Sequence, residues 1–214
     1  MNTIQNLNES LSSVNQIEVI SHEKFKQIHF DNPESTLFER FIASVDRVEE
    51  VENGYKFIYT KNGRTHKLFV NFNGESKCSE KTEYKLNVDN GHVRVTKIGT
   101  SIFVEKLIGT AWLILRDELP KSFRGLCVNV MDCSGNFDTI EKFGLEKMDL
   151  SLDNLEWTLN SRNLVHGRMM HDIFNEIGDV YRISANSTVF AEAWSLKNYN
   201  IINLYLKNIY EQVK

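Results

Sequence analysis

Proline and cysteine are both scarce in this chain. Only Pro33 and Pro120 occur in 214 residues, so a long Pro-rich linker is excluded. Cys78, Cys127 and Cys133 are three thiols, an odd number that cannot all pair within the chain. The expectation is a reduced, cytosolic protein. Cys127 and Cys133 make one pair of thiols without a second, so zinc is not expected. No run approaches 18 apolar residues, and no membrane partner is expected. The Asn- and Ser-rich opening from Met1 to Ser13 lacks a basic region followed by an apolar stretch, which is unlike a secretory signal. Excess positive charge is missing too. The formal net charge is −4, and this counts against strong non-specific affinity for nucleic acid.

Apolar residues are plentiful. They make up 41% of the chain, with Phe 13, Tyr 7 and Trp 3, which suits a packed core and argues against disorder. The length fits one domain with an extension or two small domains. Charge is unevenly spread: residues 1–50 hold 9 acids and 4 bases, whereas residues 51–100 hold 5 acids and 9 bases. The acidic first quarter is either a solvated face or a partner surface. The second quarter has the makings of a basic one.

Four segments follow from patterning. Residues 1–50 form an acidic, mostly helical N-terminal segment. Apolar residues recur at helical spacing over Glu23 to Ile28 and Leu37 to Val45, with Pro33 as a breaker between them. Residues 51–100 form a β-hairpin region. Tyr55, Phe57 and Tyr59 alternate with polar residues, Asn62-Gly63 turns, and Leu68, Val70 and Phe72 alternate again. Asn-Gly supplies the two positive-φ residues of a tight hairpin turn. Tyr84, Leu86 and Val88, then Asn90-Gly91, then Val93 and Val95 repeat the unit. Residues 101–172 hold a helix over Ser101 to Arg116, ended by Pro120, and a short strand over Leu126 to Met131. A second helix is expected to be capped by Ser151 or Asp153 and to run through Asn154 to about Leu164. Residues 173–214 form a C-terminal helical region, with Ile202, Leu206, Ile209 and Val213 on one face. Its Tyr199, Tyr205 and Tyr210 mark either a partner surface or plain core. The fold class expected is α+β.

Four blocks between residues 84 and 170 carry a further message. Tyr84 to Val95 is strand-turn-strand. Val104-Glu105-Lys106-Leu107-Ile108-Gly109-Thr110-Ala111-Trp112 follows, then Val128-Asn129-Val130-Met131-Asp132, then Asn154-Leu155-Glu156-Trp157-Thr158 with Asn163 and His166. In this order the blocks resemble the HNH (homing-type) endonucleases of bacteriophages. The second is similar to that family's Val-His-Arg-Leu-Val-Ala helix, with Glu105 where the histidine stands. The third resembles Val-Asn-His-Ile-Asp-Gly, with Val130 for the catalytic histidine and Cys133 for the glycine. The fourth matches Asn-Leu-Glu-Trp-Val with a downstream Asn and His. An ordinary amphipathic helix, with Leu155 and Trp157 in the core and Asn154 as cap, is the plain alternative for the fourth block.

The resemblance implies a ββα-metal module, in which a divalent cation stabilises developing charge while a histidine takes a proton from water. Here the chain departs from the family. Val130 accepts no proton, and loss of a general base typically costs about 10²–10⁴-fold. Asn129 and Asn154 remain as weak metal candidates, since hard cations favour carboxylates over neutral amides. Asp132, two residues on from Val130 and on the same face of a strand, is the nearest carboxylate to the vestigial site, Asp138 is another candidate in the loop, and His166 matches a family position; a working nickase would recruit Asp132 or His166. His166 and His171 also suit a surface or helix end, and His22, His29, His66 and His92 show no ligand spacing. No cofactor is expected, beyond Mg²⁺ if nuclease activity survives.

The nucleic-acid candidates are Lys56, Lys61, Arg64, Lys67, Lys85, Arg94 and Lys97, with Asn163 from the module. Tyr55, Tyr59, Phe69, Phe72 and Tyr84 are interleaved with them. A basic sheet face that tracks phosphates is one reading. Core aromatics with solvated lysines is the other. The expectation is a phage-encoded, HNH-derived protein in the bacterial cytoplasm that binds DNA without cleaving it. A modulator that binds a host or phage protein, and a weak metal-dependent nickase, are the alternatives.

Overall fold

The computed structural model describes residues 17–89, 92–96, 98–130, 149–161, 163 and 164. Asn90-Gly91, Lys97, Asp132, Cys133, Asp138, His166, His171 and the expected C-terminal helix lie outside the described residues, as does the polar opening.

Among the described residues the architecture is mixed α+β, with small antiparallel sheets and three named α-helices. Strand β1, Val19–Ile20, leads into helix α1, His22–His29. The Ser21 hydroxyl accepts from the Lys24 N–H at 3.2 Å and starts the helix. Helix α2, Leu37–Ala43, begins at a capping box: Thr36 Oγ1 accepts from Glu39 N–H, and the Glu39 carboxylate accepts from Thr36 N–H. Pro33 stands between the two helices. Position 45 does not continue α2. Val45–Val51 is strand β2, whose Val45 and Val48 are buried. This corrects the expectation of a mostly helical stretch to residue 50.

Strand β2 turns through Asn53, with φ of 58°, into β3, Gly54–Lys61. Asn62 and Gly63, with φ of 49° and 68°, then turn β3 into β4, Arg64–Asn71, as Asn-Gly predicts. Strand β5, Ser76–Lys77, completes a four-stranded sheet in the order β2-β3-β4-β5. Its inner face bears Tyr55, Phe57, Tyr59, Leu68 and Val70, all within the core.

Strand β6, Val88–Asp89, pairs with β7, His92–Val95, in the second hairpin expected, and β7 pairs with β8, Ile102–Phe103. Helix α3, Val104–Leu115, is almost wholly buried and packs on both the four-stranded sheet and the last two strands. Pro120 does not end it. Asp117 takes φ of 58°, and the N–H groups of Asp117 and Glu118 close back onto Ile114 and Leu113 at 3.0 Å. These bonds satisfy carbonyls that the helix end leaves open. The Asp117 carboxylate also accepts from His22 N–H at 2.7 Å, tying α3 to α1. Pro120 itself lies in β9, Leu119–Pro120, paired with β1.

Strand β10 is Leu126–Val130. Residues 152–154 make one 3₁₀ turn, and Leu155–Leu159 is strand β11, antiparallel to β10. The expected helix through Asn154 to Trp157 is therefore corrected to a turn and a strand. Ser151 precedes the turn but makes no side-chain cap. Helical backbone begins only at Asn160. The reason is local: Leu155, Trp157 and Leu159 alternate with Glu156 and Thr158, a period of two that suits a pleat. Among the described residues no helix is long and apolar enough to cross a membrane.

Candidate functional site

The β10–β11 pair has two unlike faces. Val128 lies opposite Trp157 and Val130 opposite Leu155, and this face packs against α3. Gly109 makes the contact possible, since a Cβ there would sit 3.0 Å from Val128 Cγ2 and 3.1 Å from Trp157 Nε1. The indole N–H donates to the Gly109 carbonyl at 3.3 Å. The other face carries Cys127 opposite Thr158 and Asn129 opposite Glu156.

Alternation puts Asn129 and Val130 on opposite faces. Val130 belongs with the core residues, where an aliphatic side chain is at home. Asn129 is buried and its amide donates to Glu156 Oε1 at 2.6 Å. Asn154 is fully buried, and its amide donates to the Asp149 carbonyl at 2.7 Å. Asn154 thus ties off the approach to β11. Asn163 is half-buried in the helical residues after β11. Among the described residues no three His, Cys, Asp or Glu side chains gather as a metal site. The donors in place, two neutral amides already engaged as hydrogen-bond donors, fit Mg²⁺ poorly.

Glu156 was not singled out by sequence reasoning. Its signal lies in the alternation of the Leu-Glu-Trp-Thr run, which is short enough to fit helical spacing as well.

Beside this pair lies a titratable cluster. Glu105, in the first turn of α3, is buried, and its Oε2 has no hydrogen-bond partner among the described residues. Burial pushes its carboxyl up to about 8, against the lesser pull of its own backbone N–H, Arg94 and Lys106. Burial pushes the Cys127 thiol up to about 11, which makes it an inert thiol. Burial also lowers Lys106, whose ammonium sits 4.3 Å from the Phe38 ring centre and 5.8 Å from that of Phe123.

The basic residues are spread over several settings. On the outer face of the four-stranded sheet, Lys56 pairs with Glu49 and Lys67 with Glu80 at 2.8 Å. Phe69 and Ile58 are buried there outside the main core, partly roofed by lysine stems. Lys77, absent from the sequence candidates, holds its ammonium 5.3 Å from the Phe69 ring centre and 4.4 Å from that of Tyr84. Tyr55 and Tyr59 face inward instead, and Phe72 packs against the core. Lys61 donates to the Ile98 carbonyl at 3.3 Å. Arg64 stands at the exposed end of the β3–β4 hairpin, and Lys85 is exposed beyond β5. Arg94 lies over Phe103 at 4.3 Å and donates to Ser101 Oγ at 3.2 Å.

Comparison of the chain with protein-family models, with curated proteins and with solved structures finds no match.

Proposed function

We propose that this chain is a phage-encoded DNA-binding protein on an HNH-derived scaffold, acting in the bacterial cytoplasm without cleaving its target. The observation that carries the DNA reading is the four-stranded sheet. Its outer face presents Arg47, Lys56, Lys67 and Lys77 against Glu49 and Glu80, and its β3–β4 end adds Lys61 and Arg64. Such a surface meets phosphate oxygens, even in a chain whose net charge is −4.

The scaffold reading is supported by the order of elements. Two antiparallel strands, Leu126–Val130 and Leu155–Leu159, are followed by helical residues from Asn160. That is the strand-strand-helix order of the ββα module. The position of the general base is held by Val130, whose side chain turns to the core.

The test pairs two assays on the full chain. A gel shift with duplex DNA is expected to appear at low salt and to fade steeply as salt rises. Supercoiled plasmid with Mg²⁺ or Mn²⁺ is expected to stay intact. Nicking that is lost in Asn154→Ala would overturn the non-cleaving part. No shift at low salt would sink the DNA reading and leave a host or phage protein as the partner.

A further inference from the structure

From Asn53 to Gly74 the chain carries four cations, Lys56, Lys61, Arg64 and Lys67, and no acid. The fold turns this stretch into the β3–β4 hairpin and leaves every residue from Lys61 to Lys67 exposed. The hairpin is stiff. It is laddered in continuous register from Gly54↔Asn71 to Lys61↔Arg64 and closed by a two-residue turn. Its base is locked into the core by Phe57, Tyr59 and Leu68. Lys61 braces one side against the Ile98 carbonyl, and His66 stacks on Tyr59 with ring centres 5.4 Å apart.

A two-stranded ribbon is an element that the major groove of duplex DNA admits, being about 5 Å between strands in a groove about 12 Å wide. Two rungs free of the core, Thr60↔Thr65 and Lys61↔Arg64, with the two-residue turn beyond them, reach about 10 Å at about 3.4 Å per step, comparable with a groove depth of about 8.5 Å. Single strands are gripped mainly by open aromatic faces. The tip offers none, because Tyr59 is buried beneath His66 and Phe69 beneath lysine stems.

We propose that the β3–β4 tip enters the major groove of duplex DNA, with Arg64 reading a guanine edge and Lys67 meeting a phosphate. The Arg64 side chain, next to the turn, makes no hydrogen bond or ion pair among the described residues, so its planar fork of donors is uncommitted. A guanine presents O6 and N7 to such a fork. Lys67 lies three residues up the shaft, at the height of the groove wall. Its pairing with Glu80 is solvent-exposed, so it is readily exchanged for a phosphate.

This inference rests on the DNA-binding reading, and the experiment separates the two. The full chain is used to select sites from randomised duplex DNA, in wild-type, Arg64→Ala and Lys67→Ala forms. Guanine N7 methylation interference is then run on the wild-type site. The wild type is expected to select a site containing a guanine whose N7 methylation blocks binding. Arg64→Ala is expected to lose that one preference, with affinity for the site down about 5- to 150-fold. Lys67→Ala is expected to weaken all sequences alike and to lower the slope of log affinity against log salt by about one. If wild type binds duplex but N7 methylation has no effect and Arg64→Ala selects the same site, the groove proposal falls and DNA binding stands. Equal affinity for single strands overturns it as well. A wild type that binds no duplex at low salt overturns both.

Discussion

The Asn129 side chain donates to Glu156 Oε1 at 2.6 Å across the β10–β11 ladder, in a place where both residues are buried. The bond couples the Val-Asn-Val strand to the Leu-Glu-Trp strand on the face away from α3. It gives Asn129 a structural task that does not depend on a metal. Asn129→Ala removes one donor from a buried carboxylate and is expected to lower stability by about 1–3 kcal/mol in urea unfolding. Asn129→Asp, which would supply a better metal ligand, is expected to show a larger stability deficit relative to wild type at pH 7 than at pH 5, because two carboxylates then share the site. An equal deficit at both pH values would show that the pair is not coupled in this way.

Glu105 sets an alkaline limit. Its folded value of about 8 lies above the ordinary 4.5, so the folded state binds its proton more tightly than the unfolded state. Stability from this group is full below about pH 4.5 and is lost as pH rises through about 8, at about 1.4 kcal/mol per unit within that window. Glu105→Gln keeps the shape and removes the charge. Unfolding midpoints at pH 5 and pH 8.5 should differ less in this variant than in wild type. At pH 8.5 the variant should be the more stable of the two.

Glu39 works in the opposite direction. Burial alone would raise its carboxyl. The Ser122 hydroxyl at 2.6 Å, the N–H groups of Thr36 and Phe123 at 2.8 and 2.9 Å, and the Thr36 hydroxyl at 2.9 Å outweigh burial and hold it below the ordinary value. Its stability is present above the unfolded value near 4.5 and is lost as pH falls through the lower folded one. Glu39→Ala should cost about 3 kcal/mol at pH 7, the penalty for orphaning several buried donors. In acid titrations followed by circular dichroism the variant should also lose the steepest part of the wild-type unfolding curve.

Gly54 opens β3 where the backbone of β4 comes close. A Cβ there would lie 2.1 Å from the Val70 carbonyl oxygen and 2.7 Å from Asn71 Cα, both rigid backbone atoms. Gly54→Ala should therefore open the ladder and cost more than about 3 kcal/mol. Gly63→Ala at the other end meets nothing within 4 Å. It strains only the positive φ and should cost about 1 kcal/mol. Hydrogen exchange along β3 and β4 distinguishes the two: Gly54→Ala should lose protection at the core end, and Gly63→Ala only at the tip.

Much of the fold was legible. The Asn62-Gly63 hairpin, the strand at Leu126–Val130, the hydrophobic helix near Val104–Leu115 and the α+β class follow from period, turn residues and charge placement. Strand β2 was hidden because Val45-Asp-Arg-Val-Glu-Glu-Val satisfies a helical spacing as well as a strand with a bulge. The bulge between Val45 and Arg47 breaks the clean alternation that would have marked it. The Asn-Leu-Glu-Trp run was misplaced for a related reason. Five residues are too few to separate a period of 2 from one of 3.6, and a capping-type Ser-x-Asp before them favours a helix. Of the candidate site residues, sequence named Asn129, Val130 and Asn154, and alternation along the strand sets the first two on opposite faces, but only pairing and packing show that the Val130 face meets the core and that Glu156 lies opposite Asn129.

The residues by themselves determined where chains turn, which stretches are apolar, the absence of a proton acceptor at Val130 and the run of cations without acids around Asn62-Gly63. These are local properties, carried by φ preferences and by side-chain chemistry. Tertiary structure alone decided that Glu156 faces Asn129 and, among the described residues, that Glu105 is buried with an unpartnered oxygen and that Lys56 and Lys67 are ion-paired while Arg64 is not. Each of these depends on residues distant in sequence arriving at one place. Burial and pairing are properties of that place, and no single segment encodes them.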